Sequence, residues 1–172
     1  TYATLDDAVT AANASKEAVI IELLQSCSVG NRISISAGKN ITITAMQNSG
    51  ITITDNTRKG ITLSNGSTLT IENIAFNTNG QIYLNGSNGS LTFRNAELSM
   101  DGEMYQFNRD GYYCSAIAIE QPENALTFDG CEVSIKNYPS IGSAVRWNPN
   151  SNSYFVEIIN GTRFESSNCY AG

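Results

Sequence analysis

The sequence predicts an all-β chain wound into stacked coils behind one short N-terminal helix. Three observations carry that expectation. Apolar and polar residues alternate strictly in ISIS (33–36), ITIT (41–44 and 51–54), ITLS (61–64) and LTIE (69–72). Polar turns such as AGKN, NSG, RKG and NGST separate these phrases, and a period of two between turns is the signature of short half-buried strands. Longer phrases repeat: ITLSNGSTLTIENIAF (61–76), IYLNGSNGSLTFRNAEL (82–98), IAIEQPENALTFDGCEV (117–133) and, more loosely, VRWNPNSNSYFVEIINGTRF (145–164). An earlier copy, ISISAGKNITITAM (33–46), follows the same template, and self-similarity of this kind marks a repeat architecture.

The helix comes first. Thr4-Leu5-Asp6-Asp7 places a hydroxyl at the N-cap and a carboxylate three residues on, a capping box with Asp in place of Glu. Leu5, Ala8, Val9 and Ala12 then recur at the spacing of one helical face. Asn13–Lys16 breaks the helix, and Ala18–Leu24 (AVIIELL) reads as a buried strand. The expected organisation is a single domain over residues 1–172. Residues 1–17 form the capping helix and 18–172 form about five to six coils. The end, SSNCYAG, shows no capping element. An open final coil is a pairing hazard, so the chain is expected to be a piece of a longer protein.

Each copy reads as strand, polar turn, strand, tight bend, strand. Aligned by column, Ile71, Phe93, Phe128 and Ile159 face inward, and Glu72, Arg94, Asp129 and Asn160 face outward. Asn73, Asn95, Gly130 and Gly161 hold the bend, and Phe76, Leu98, Val133 and Phe164 return inside. Asn and Gly enter the left-handed region most readily. A column of them means that every copy turns the same corner, with like residues about 4.8 Å apart between layers.

The Asn73/Asn95 column resembles the asparagine stack at the bend between the second and third sheets of the right-handed parallel β-helix, the pectin-lyase-like superfamily. The opening YATLDDAVTAA…VIIELL resembles the capping helix and first strand of many repetitive bacterial surface proteins. The resemblance covers nearly the whole chain. It implies a β-solenoid of three parallel sheets. It leaves activity open, because that fold hosts lyases, hydrolases and passive stalks.

Composition narrows the function. Ten basic residues against sixteen acidic ones give a net charge of −6, the wrong sign for a protein that tracks phosphates. No run of 18 apolar residues occurs, so no membrane span is expected. Histidine is absent, which removes the commonest general base and every Ser-His or Cys-His pair. Cys27, Cys114, Cys131 and Cys169 show no CxxC spacing. They read as buried thiols or as one bridge among three pairings.

The densest candidate site is DGEMYQFNRDGYYC, Asp101–Cys114, an aromatic and charged insertion in an otherwise Thr/Ile/Asn/Gly chain. The strand opening each copy forms the first sheet. Its outward columns are Thr62, Tyr83, Ala118 and Arg146, and then Ser64, Asn85, Glu120 and Asn148. The insertion lies on the rim of that sheet, with Tyr138 one layer away. The expected ligand-binding residues are Tyr83, Tyr105, Phe107, Arg109, Asp110, Tyr112, Tyr113, Glu120, Tyr138 and Arg146. Aromatic faces stack on sugar rings, while Arg and carboxylates bond hydroxyls or acidic groups. The competing reading is a loop that folds its own rings back as a lid.

The resemblance also implies a lyase alternative, with a basic proton abstractor and calcium held by acids. Arg146 and Glu120, with Asp110 or Arg109 reaching over, would be its members. Calcium needs six to eight oxygens, and the only adjacent acids, Asp6 and Asp7, belong to the helix cap. No catalytic residue, metal site or cofactor is therefore assigned.

Other patterns read as structure. Glu72, Arg94 and Asp129 alternate in sign as a surface ladder, and Glu97 and Glu132 are expected as neighbours on the third sheet. Thr70, Thr92 and Thr127 form an outward column explained by strand propensity. Sequons begin at Asn13, Asn40, Asn65, Asn85, Asn88 and Asn160, in a composition where chance supplies most of them.

The resulting expectation is a non-catalytic module of a secreted or cell-surface bacterial protein. It would be a scaffold whose partners are glycans or host surface molecules, acting as a monomer, with no nucleic-acid partner and no membrane insertion. The alternatives are a polysaccharide lyase, or another carbohydrate-active enzyme of that fold, and a purely structural stalk.

Overall fold

The computed structural model describes residues 1–102, 116–119, 121–138, 145–147, 154–167 and 169, with 145–147 and 154 described by their backbone. Helix α1 spans Leu5–Ala14. Thr4 caps it in extended conformation, accepting from the Asp7 N–H at 3.1 Å. The Asp7 carboxylate accepts from the Thr4 hydroxyl at 2.7 Å, so the two side chains close the capping box on each other. Leu5, Ala8, Val9 and Ala12 are buried, as their spacing predicts.

Two polar residues of α1 hold it on the layer beneath. The Asp6 carboxylate accepts from the Gly30 and Asn31 N–H groups at 3.0 and 2.8 Å. Asn13 donates to the Ser34 carbonyl and accepts from the Ser36 N–H, both at 2.8 Å. Backbone groups at the turn that would otherwise lack partners are thereby satisfied by the cap.

Three sheets follow, and every pairing in them is parallel. The second sheet contains β1 (Val19–Leu23), β4 (Asn40–Ala45), β7 (Thr68–Glu72), β10 (Ser90–Arg94), β13 (Asn124–Asp129) and β16 (Tyr154–Ile159). The third contains β2 (Cys27–Ser28), β5 (Thr52–Asp55), β8 (Ala75–Thr78), β11 (Glu97–Asp101), β14 (Glu132–Lys136) and β17 (Arg163–Ser167). The first contains β3 (Ile33–Ile35), β6 (Ile61–Leu63), β9 (Ile82–Leu84), β12 (Ile117–Ile119) and β15 (Val145–Trp147). The chain visits the second, third and first sheets in rotation. Each strand pairs with the one three places later. One circuit of chain therefore makes one layer, and no helix among the described residues is long and apolar enough to cross a membrane.

The register matches the columns read from the repeats, with one exception. Ile71, Phe93 and Phe128 pair in succession, and so do Phe76, Leu98, Val133 and Phe164. Phe128, however, pairs with Ile158, and Asp129 pairs with Ile159. The assignment of Ile159 to the inward column and Asn160 to the outward one is therefore off by a residue. The final bend holds one residue more than its neighbour: Asn160-Gly161-Thr162 stands where the layer before has Gly130-Cys131. Asn160 and Gly161 take it up by both adopting positive φ, 54° and 76°.

The earlier bends behave as their composition implies. Asn73, Asn95 and Gly130 have φ of 58°, 45° and 65°. Their N–H groups donate to the Arg94, Asp129 and Ile159 carbonyls at 3.0, 2.8 and 3.1 Å, so the ladder runs unbroken around the corner. Gly130 has a second constraint, since a Cβ there would lie 3.0 Å from Asn95 Oδ1.

The interior is a set of apolar columns. Phe93 stacks on Phe128 with ring centroids 5.6 Å apart, while Phe76 and Phe164, from the third-sheet column, pack against them at 6.4 and 5.9 Å. Offset and edge contacts of this kind add to simple burial. One carboxylate also points inward. Asp55, at the end of β5, is 1% exposed. It accepts from the Thr57 N–H and hydroxyl (2.8 and 2.6 Å), the Gly60 N–H (2.7 Å) and the Thr78 hydroxyl (2.8 Å). Burial pushes this carboxyl up, but the hydrogen bonds from Thr57, Thr78 and Gly60 outweigh it and hold it below the usual carboxylate range.

Candidate functional site

The strands of the first sheet that face the candidate site are three residues long, so each presents its ends inward and its middle residue outward. Those middle residues fall in one register, Ser34, Thr62, Tyr83, Ala118 and Arg146. The backbone register of the column read from the repeats is thus present, and Ser34 adds a member at the helix end. Tyr83 is half-buried. Ala118 has outward register but is only 2% exposed.

The insertion leaves the third sheet at β11 and rejoins the first at β12. Asp101, counted at sequence level as its first residue, is instead part of β11. Its carboxylate pairs with Lys136 Nζ at 3.1 Å and accepts from Asn137 Nδ2 at 2.9 Å. The Gly102 N–H donates to the Lys136 carbonyl at 3.0 Å. The stem is therefore tied to the layer above it. Tyr105, Phe107, Arg109, Asp110, Tyr112, Tyr113 and Glu120 lie outside the described residues, and Arg146 is described by its backbone.

Tyr138 requires correction. It is expected as a surface aromatic beside the insertion, but it is 1% exposed. Its hydroxyl donates to the Gly80 carbonyl at 3.0 Å. Its ring lies against Gly102, where a Cβ would come within 2.9 Å of Tyr138 Cγ. The ring is a core group with its polar end satisfied. Gly102 at the corner is the sequence signal that room exists there for a large ring.

A cationic element of this face escapes the sequence reading. Arg32, just before β3, donates through Nη1 to the Thr62 hydroxyl at 3.1 Å, so it lies against the outward column. Lys59, in the next turn, donates to the Gly30 carbonyl and to Asn31 Oδ1 at 3.2 and 3.4 Å. All of these partners are neutral. Arg32 also lines a groove of about 210 Å³ between α1 and the first turn, together with Leu5, Asp6, Val9, Asn13 and Asn31. Arg32 is hard to single out in the sequence because it precedes a strand with no motif around it.

The other patterns are structural in their contacts. Arg94 pairs with Asp129 at 3.2 Å. A hydrogen bond from Asn160, joined by the Arg94 guanidinium, holds the Asp129 carboxyl below the usual range. Glu97 and Glu132 are neighbours, as expected, and Arg163 stands 3.9 Å from Glu132. Thr70, Thr92 and Thr127 pair in register, with Thr42 added below them. Cys27, Cys131 and Cys169 are free thiols. Burial pushes the Cys27 and Cys131 thiols up, away from reactivity. Cys114 lies outside the described residues. Among the described residues, no three His, Cys, Asp or Glu side chains converge as metal ligands would.

No family model, curated protein or solved structure matches the chain.

Proposed function

We propose that the chain is a right-handed parallel β-helix of the pectin-lyase-like kind. It serves as a non-catalytic module of a secreted or cell-surface bacterial protein and displays a glycan- or host-binding patch on its first sheet. The fold half of this reading is supported by three parallel sheets visited in rotation and by the Asn and Gly residues at positive φ on the bend. The functional half rests on one arrangement. Arg32 against Thr62, Tyr83 and the backbone position of Arg146 succeed one another along the first sheet. The aromatic insertion joins that same sheet at β12. A ring face, cations and hydroxyls along a rigid surface suit a saccharide, which offers apolar ring faces between polar edges.

Retention of the chain on a glycan array tests this directly. Binding is expected for the wild type. It should be lost on Tyr83→Ala with Arg32→Ala, and on Tyr112→Ala with Tyr113→Ala. A wild type that retains no glycan sinks the binding patch and leaves a structural stalk. Unsaturated products released from a uronate polymer, and lost on Arg146→Ala, would replace the reading with a lyase.

A further inference from the structure

Five Asn-Gly pairs punctuate the chain: Asn65-Gly66, Asn79-Gly80, Asn85-Gly86, Asn88-Gly89 and Asn160-Gly161. In a flexible peptide such pairs lose ammonia readily. Glycine carries no Cβ to hinder its own nitrogen as it attacks the neighbouring side-chain carbonyl carbon. The attack needs a glycine N–H that is not committed elsewhere and an asparagine side chain free to swing over it.

The fold withholds that freedom at four pairs. The Gly66 N–H donates to the Ser87 carbonyl at 2.8 Å and the Gly86 N–H to the Leu63 carbonyl at 3.0 Å. The Gly80 N–H donates to the Thr78 hydroxyl at 2.8 Å and the Gly89 N–H to Asn124 Oδ1 at 2.7 Å. Gly80, Gly86 and Gly89 are buried as well. The fifth pair differs. Asn160 and Gly161 are both exposed. No partner accepts the Gly161 N–H among the described residues, and nothing lies within 4 Å of where its Cβ would be. Among the described residues the Asn160 amide is held by one contact, from Nδ2 to Asp129 Oδ1 at 2.6 Å.

We propose that Asn160 is a site of spontaneous, structure-selected deamidation. The Gly161 nitrogen bonds to Asn160 Cγ, and the bond from Cγ to the side-chain nitrogen breaks. That nitrogen leaves as ammonia and carries off the Gly161 proton. Water then opens the cyclic imide to aspartate or isoaspartate, with no oxidant or reductant involved. The product changes the bend physically. An amide donor facing Asp129 becomes a second carboxylate, and two like charges at hydrogen-bond distance repel. The isoaspartyl form also lengthens the main chain at the corner joining β16 to β17. The modification therefore loosens the last described circuit and leaves the layers before it intact.

The test incubates the full chain in mildly alkaline oxygen-18 water, native and in denaturant, and maps the label by peptide mass spectrometry. In the native chain the Asn160 peptide should label about tenfold faster than those holding Asn65, Asn79, Asn85 and Asn88, the order expected when one committed hydrogen bond must first break. In denaturant all five should label at similar rates. Equal labelling of the native pairs, or an unlabelled Asn160, overturns the proposal. Asn160→Gln, which keeps an amide donor, should abolish label at that position. Asn160→Asp should speed amide exchange in β16 and β17 and not in β4 to β11; unchanged exchange there overturns the structural consequence.

Discussion

The two ends of the stack treat the same kind of residue in opposite ways. At the helix end, Leu5, Ala8, Val9 and Ala12 lie over the first layer, and Ile33 and Ile35 beneath are buried. At the other end, Val156 and Ile158 continue the columns of Leu126 and Phe128. Leu126 and Phe128 are fully buried, whereas Val156 and Ile158 are 41% and 52% exposed. Hydrophobic residues and strand pairing are alike at both ends. The difference is a covering layer. In a fold where each layer touches only its neighbours, burial is conferred by the next layer rather than by a residue's own character.

That contrast can be broken most sharply inside the column. Phe93→Ala should cost about 3–5 kcal/mol in urea unfolding, because packed layers on both sides prevent the site from collapsing. Ile158→Ala should cost well under half as much. Equal losses would mean that the last circuit is covered in solution.

Asp55→Ala ranks next, at about 2–4 kcal/mol, since it strands buried donors from Thr57, Thr78 and Gly60. The same carboxylate sets an acid dependence. Its folded pKa lies below the unfolded value of about 3.9, so its contribution is complete above that value. It is lost as pH falls through the lower folded pKa. The urea midpoint of the wild type should drop over that range more steeply than that of Asp55→Asn.

Thr4→Ala should cost about 1 kcal/mol through the lost cap, with faster amide exchange confined to α1 and residues 29–36 beneath it. Lys136→Ala, which removes a half-exposed partner of Asp101, should cost under about 1 kcal/mol, an effect that high salt erases.

Much of this architecture is legible in the chain itself. The alternation of ITIT and LTIE, repeated between Asn/Gly bends, predicts which side chains point in and which residues align between layers. That works because a period-two strand leaves one choice of face and a repeated bend leaves one choice of corner. The cap of α1 is equally local. The candidate site is less legible. The column Thr62, Tyr83, Ala118, Arg146 follows from the repeats, but Arg32 joins it only because its side chain reaches across a layer to Thr62.

Three particulars resist a linear reading, each for the same reason. Tyr138 looks like a surface aromatic until two residues far away in sequence are seen beside it: Gly102 leaves room for its ring, and the Gly80 carbonyl accepts from its hydroxyl. Asp55 carries no sequence mark of burial, because Thr78, which helps satisfy it, comes from the following layer. Ile158 and Ile159 exchange faces because the last bend absorbs one extra residue, which the repeat pattern tolerates at either position. Periodicity and turn chemistry act within a few bonds, so residue order alone settles strands, bends and the helix cap. Whether a ring is inside, a carboxylate is satisfied or a glycine N–H is free depends on the layer above. That layer is supplied by residues more than twenty positions away.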